Sequence, residues 1–205
     1  MRLGLFGGTF DPPHIGHLLV ASDACESLGL DQVVFIPTFQ QPLKEGRSAA
    51  APESRRRMVE VMVASDPRFA VDAAEIDRGG LSYTVDTLQS YAVRHPDAER
   101  FFMIGADAVQ SFESWREPGQ IVRLARLAIM ARPNAGGWGM DLTALRERVR
   151  ALGGPSALEP AVVPTRQIDV SSTEIRERVR EGKPIRGFVV EAVARYIEMS
   201  GLYHQ

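Results

Sequence analysis

Cysteine and lysine are nearly missing from these 205 residues, and no apolar run approaches membrane-spanning length. The one cysteine, Cys25, excludes an internal disulfide and a cysteine-built zinc site, and it reads as an inert buried thiol on a helix face. Of the 24 basic residues only Lys44 and Lys183 are lysines. The rest are arginines, most at spacings that suit solvated helix faces, as in "RERVR" at 146–150 and again at 176–180. A formal charge of −2 leaves no basic footprint, so nucleic acid is not an expected partner. Met1-Arg2 runs straight into an apolar strand without a signal-peptide core, so a cytoplasmic location is expected and a membrane partner is not. The length and the 44% hydrophobic share suit a single domain spanning 1–205 with a sizeable core. Oligomeric state is left open, and a homo-oligomer is compatible with all of this.

What is present begins at "GGTFDPPHIGH", residues 7–17, between the apolar run "RLGLF" and a stretch with Leu18, Ala21, Cys25 and Leu28 at helical spacing. It reads as a strand-to-helix turn. Gly7 and Gly8 are expected to supply positive φ, and Pro12-Pro13 to stiffen the helix entry. Turn chemistry does not account for His14 and His17, which lie at i and i+3 on one face of the first helical turn. Unpaired N–H groups at a helix start attract phosphate, glycines admit it closely and imidazoles add donors. The stretch reads as a phosphate cradle.

Strands are expected at 2–6, 32–36, 69–72, 100–104, 127–131 and near 161–163. Helices are expected at about 15–28, 53–64, 84–94 and 141–152, with shorter helical turns between 107 and 125. A helical C-terminal segment, 172–203, closes the fold, with Val190, Val193 and Ile197 at helical spacing. Short continuous apolar strands alternating with amphipathic helices predict an α/β fold. It is a Rossmann-like, doubly wound parallel sheet with helices on both faces. Ligands bind such sheets at the carboxyl ends of strands where the order reverses. Residues 37–52 and the Gly-rich 132–140 are longer than connection requires, as functional lids or binding loops often are.

A second informative stretch is "DVSSTEIRERV", 169–179. Ser171 or Ser172 ahead of Glu174 is an ordinary N-cap signal. The consecutive hydroxyls of Ser171, Ser172 and Thr173, with Arg176 one turn in, also form an anion site. Two anion-seeking helix starts suit a triphosphate.

"HIGH" at 14–17 coincides with the adenylate-binding signature of class I aminoacyl-tRNA synthetases, and with "SSTEIR" it resembles the nucleotidyltransferase superfamily. The full set is similar to the bacterial nicotinate-mononucleotide adenylyltransferase family. It comprises "FIPTFQQPLK", "SRRRM", "LSYTVDTL", "FMIGADAVQSFESW", "ARP" and the terminal "GLY", in order over nearly the whole chain. The resemblance implies transfer of AMP from ATP to nicotinate mononucleotide, giving deamido-NAD and pyrophosphate in NAD biosynthesis, with Mg²⁺ on the ATP phosphates. The catalytic set it implies is His14, His17, Lys44 and Arg176. ATP would meet Gly7, Gly8, Thr9, Phe10, His14, His17, Gly105, Asp107, Arg132, Ser171, Ser172, Thr173 and Arg176. The mononucleotide would meet Thr9, Phe10, Lys44, Arg55, Tyr83, Thr84, Trp115 and Arg116.

The residue types suit that chemistry. A phosphate nucleophile is already ionised near neutral pH, so no general base is required, and catalysis reduces to positioning and charge stabilisation. His17 also reads as a brace for the loop, and Arg55 as ordering the loop or meeting substrate. Asp107 reads as a ribose acceptor or an N-cap, and Trp115 as a ring able to stack on a pyridine. Two departures from the family pattern stand out. Leu43 replaces a frequent histidine, and Arg116 replaces a tyrosine, with a solvated charge and a carboxylate clamp as its two readings. Phosphopantetheine adenylyltransferase shares the first and last motifs but not "SYTVDTL" or "GADAVQSFESW". A catalytically silent nucleotide-binding regulator has no need of the intact His14, His17 and Arg176 set.

Overall fold

The computed structural model describes residues 1–42, 49–131, 141–166 and 168–204. Six strands form one sheet: β1 (Arg2–Gly8), β2 (Gln32–Pro37), β3 (Phe69–Val71), β4 (Glu99–Gly105), β5 (Arg126–Ala131) and β6 (Ala161–Pro164). Their order is β3-β2-β1-β4-β5-β6. The pairs β1–β4, β4–β5 and β5–β6 are parallel, in register at Leu3–Arg100, Ile104–Ile129 and Met130–Val163. Strands β2, β4 and β5 are buried over consecutive residues, Val33 to Pro37, Phe101 to Ile104 and Leu127 to Ala131. Unbroken burial means that both faces are covered, which is why these strands read as continuous apolar runs. The order reverses between β1 and β4, the doubly wound arrangement that the alternation predicts.

The helices are α1 (Ile15–Leu28), α2 (Pro52–Val63), α3 (Ala74–Arg78), α4 (Thr84–Arg94), α5 (Ala106–Val109), α6 (Pro118–Leu124), α7 (Leu142–Gly153), α8 (Ser172–Arg180) and α9 (Glu191–Ser200). The sequence pattern does not announce α3. It is too short to show a helical period, and it forms after Asp72, whose carboxylate accepts the Ala74 N–H at 2.8 Å. None of the described helices is long and apolar enough to cross a membrane.

Contacts group the chain into two compact units. One comprises Met1–Phe6, Val20–Val33 and Tyr83–Gln167. Its core is built on Phe101, Met103, Leu127 and Ile129, all at most 2% exposed. The other comprises Gly7–Leu19, Val34–Ser82 and Ile168–Gln205. Phe35, Met58, Val59, Ile175 and Val193 are among its fully buried apolar residues, joined by one fully buried arginine, Arg55.

Candidate active site

The second unit holds the cradle. Gly7 and Gly8 belong to β1, and the positive φ of this connection falls on Phe10, at 51°. The expected reason for the glycines is therefore corrected at Gly8: a Cβ there would meet the Phe10 ring at 2.9 Å. Gly8 is small so that Phe10 can fold back into the core, edge-on to His17 at 5.0 Å and tilted on Phe35 at 5.7 Å. Phe10 is 3% exposed, so its ring is part of the core.

His14 and His17 do not share the first helical turn, because α1 starts at Ile15. His14 precedes it, and its N–H donates to His17 Nδ1 at 3.1 Å while the His17 N–H donates to the His14 carbonyl at 2.9 Å. The two rings lie 3.7 Å apart. His17 thus carries its proton on Nε2 and braces the loop. Gly16 gives no signal of its own in the sequence, yet a Cβ there would press on His14 Nδ1 at 2.9 Å. The small residue two places on is what lets the His14 ring lie over the helix start.

Burial lowers the His14 imidazole from 6.5 to about 4, and burial followed by His14's own charge holds His17 well below 6.5. Both rings are neutral at neutral pH. Their unfolded forms bind protons below about 6.5 while the folded forms resist, so this contribution to stability is complete above 6.5 and is lost as pH falls toward 4. The melting temperature is expected to drop across that window, and to drop less in His14→Gln. A flat profile for the parent protein between pH 6.5 and 4 would contradict the lowered values.

The second helix start is brought to the first. Ser172 Oγ donates to the Pro12 carbonyl at 2.8 Å, and Arg176 Nη1 donates to the Asp11 carbonyl at 2.7 Å. Arg176 Nη2 also reaches Thr173 Oγ1 at 3.2 Å. Ser171 is the N-cap of α8, accepting the Glu174 N–H at 3.1 Å. All three hydroxyls therefore have protein partners, with Thr173 Oγ1 accepting from Arg176 Nη2 at the helix start.

Arg55 is fully buried. Its guanidinium donates to three carbonyls, those of Thr9 at 2.8 Å, Phe39 at 3.0 Å and Ala50 at 3.3 Å. Of its two expected roles, ordering the loop is the one this geometry serves. Thr38, missed in the sequence, donates its N–H to the Gly8 carbonyl, and its hydroxyl is buried without a partner at the carboxyl end of β2. Thr9 Oγ1 donates to Gln41 at 3.3 Å. Lys44, Leu43 and Arg132 lie outside the described residues.

The first unit carries the remaining candidates. Gly105 ends β4 at φ −67°, ψ 147°, a conformation open to any residue, and a Cβ there would meet nothing. Neither backbone nor packing requires glycine at this position. Asp107 is the second residue of α5 and does not cap it; the cap position is Gly105, without a side-chain bond. Tyr83 is the cap residue of α4 and Thr84 its first residue, and this helix likewise has no side-chain cap. Trp115 meets Phe102 edge-to-face at 6.1 Å and Phe112 at 5.5 Å, and its indole N–H is buried without a partner. Arg116 lies over the Tyr83 ring at 4.7 Å, with Asp86 at 3.8 Å and Glu117 at 3.6 Å.

Comparison with known proteins is consistent with these features. Residues 5–178 match the cytidylyltransferase-like family. A probable nicotinate-nucleotide adenylyltransferase of Gemmatimonas aurantiaca is 44% identical over the whole chain and 93% of its own length. One from Thermus thermophilus is 43% identical over 99% of this chain and all of its own. Among solved structures, Plasmodium falciparum nicotinic acid mononucleotide adenylyltransferase complexed with NaAD superposes with a TM-score of 0.76 at 17% identity. The match covers 99% of this chain and 97% of that one.

Proposed function

The chain belongs to the cytidylyltransferase-like family and, within it, to the nicotinate-nucleotide adenylyltransferases, and from that premise we infer that it transfers AMP from ATP to nicotinate mononucleotide. The observation that carries the reading is the joining of two anion-seeking helix starts through Ser172–Pro12 and Arg176–Asp11. In the reaction a mononucleotide phosphate oxygen bonds to the α-phosphorus, the bond from that phosphorus to the bridging oxygen breaks, and pyrophosphate leaves. A neutral His14 donates to the α-phosphoryl oxygens, Arg176 and Thr173 hold the outer phosphates, and no proton need move. Magnesium enters as the counterion of the triphosphate, whose oxygens are the hard ligands it prefers. Among the described residues no group of three or more His, Cys, Asp or Glu gathers to hold a metal by itself, and an ion carried on the substrate does not need one.

Nicotinate differs from nicotinamide by a negative charge, which suits the uncapped start of α4. Asp86, in the first turn of that helix, opposes a carboxylate, and Arg116 offsets Asp86. The acid is therefore the preferred acceptor. Arg116→Ala is expected to narrow the ratio of kcat/KM for acid over amide about three- to tenfold, the scale of an exposed charge near a ligand. An unchanged ratio would leave selection to the backbone donors alone. The function itself is tested by pyrophosphate release from ATP with a panel of acceptors. Nicotinate mononucleotide should lead, and preference for phosphopantetheine would overturn the assignment.

A further inference from the structure

The chain's last tyrosine reaches back to its first loop. Tyr203 O–H donates to Asp11 Oδ1 at 2.7 Å, with Asp11 5% and Tyr203 9% exposed. The same carboxylate accepts the N–H groups of Ala49 at 2.6 Å and Ala50 at 3.1 Å, at the entry to α2. On the main-chain side, the Asp11 carbonyl takes Arg176 Nη1. We propose that Tyr203 is a positioning residue for ATP binding, acting through Asp11 to aim Arg176.

Phe10, immediately before Asp11, holds φ at 51°, and Tyr203 itself holds φ at 69°, both uncommon for side-chain-bearing residues. Such conformations persist only where surrounding contacts over-determine them. For the cradle, those contacts are the donors converging on the Asp11 carboxylate. They fix residue 11, and fixing it sets the direction of the carbonyl that receives Arg176. On the other side, Gly201 at φ 63° ends α9 with its N–H on the Glu198 and Ile197 carbonyls, which turns the chain so that Tyr203 points inward. Burial, then Asp11, pushes the Tyr203 phenol upward, so it stays a donor at all working pH values. Without this hydroxyl the buried Asp11 carboxylate keeps only the Ala49 and Ala50 N–H donors, so residue 11 is held less firmly and its carbonyl aims Arg176 less well.

The inference rests on the assignment of Arg176 to the ATP phosphates, and the test separates the two. KM values for ATP and for nicotinate mononucleotide are measured in Tyr203→Phe, Arg176→Ala and the double variant. Tyr203→Phe should raise the ATP KM about five- to tenfold, with the acceptor KM within about twofold. In the Arg176→Ala background the same change should move the ATP KM by less than about twofold, because the residue it acts through is gone. Should Tyr203→Phe fold poorly, Asp11→Asn, which keeps one acceptor oxygen, is expected to show the same ATP-selective rise and the same loss of effect without Arg176. An unchanged ATP KM in Tyr203→Phe, or an equal rise in both backgrounds, overturns the positioning role and leaves the function standing. An Arg176→Ala enzyme with parental ATP KM overturns both assignments at once.

Discussion

Replacing His14 by alanine should lower kcat about 10²–10³-fold while the protein stays folded, the usual consequence of losing one preorganised donor to developing charge. The ring is held for this work from two sides. The His14 main-chain N–H is tied to His17 Nδ1, and Gly16 leaves room for the ring over the start of α1. Burial keeps it neutral, so it donates through one N–H without first giving up a proton. Its Nδ1 is buried without a partner. The acceptor KM should change little, because the role proposed for His14 is on the α-phosphoryl group and not on the pyridine nucleotide. A folded His14→Ala enzyme with near-parental turnover would remove His14 from the chemistry.

Arg176→Ala should raise the ATP KM about ten- to a hundredfold, with a much smaller effect on the mononucleotide KM. Charge-assisted bonds to phosphate are worth about 1.5–3 kcal/mol each, which sets that range. The side chain is anchored at one nitrogen by the Asp11 carbonyl and at the other by Thr173, so it is ordered before ATP arrives. Ordering in advance reduces what binding must immobilise. Arg176→Lys should recover only part of the loss, since an ammonium cannot keep the Asp11 carbonyl and two phosphate oxygens in one plane. Equal KM changes for both substrates would point to a structural role for the α8 start.

Strands β2, β4 and β5 are legible in the sequence because each is a short, largely unbroken apolar run, and burial on both faces is what produces such a run. Helices α1, α2, α4 and α7 are legible from their period. The five-residue α3 is not, because a single turn has no period to detect and the acceptor for its Ala74 N–H is Asp72, outside the helix. In the site, residue types are easier to read than their partners. Gly8 reads as a turn glycine in sequence, and only the folded ring of Phe10 shows why it must be small. Arg55 reads in sequence as ordering the loop or meeting substrate, and only the fold shows it fully buried on three carbonyls. The bond from Tyr203 to Asp11 joins residues 192 apart, beyond any local pattern. Ser171 and Ser172 read both as caps and as phosphate donors, and the cap assignment of Ser171 is the one that α8 displays.

The central claim is that one ATP and one nicotinate mononucleotide become one dinucleotide without any group on the protein carrying the AMP. Its most direct measurement is the product balance of a single incubation with ATP, Mg²⁺ and acceptor, followed by mass spectrometry for deamido-NAD and by pyrophosphate assay. Equal amounts of dinucleotide and pyrophosphate are expected, with no pyrophosphate when the acceptor is withheld. Pyrophosphate released from ATP alone, or consumption of ATP without deamido-NAD, would contradict it.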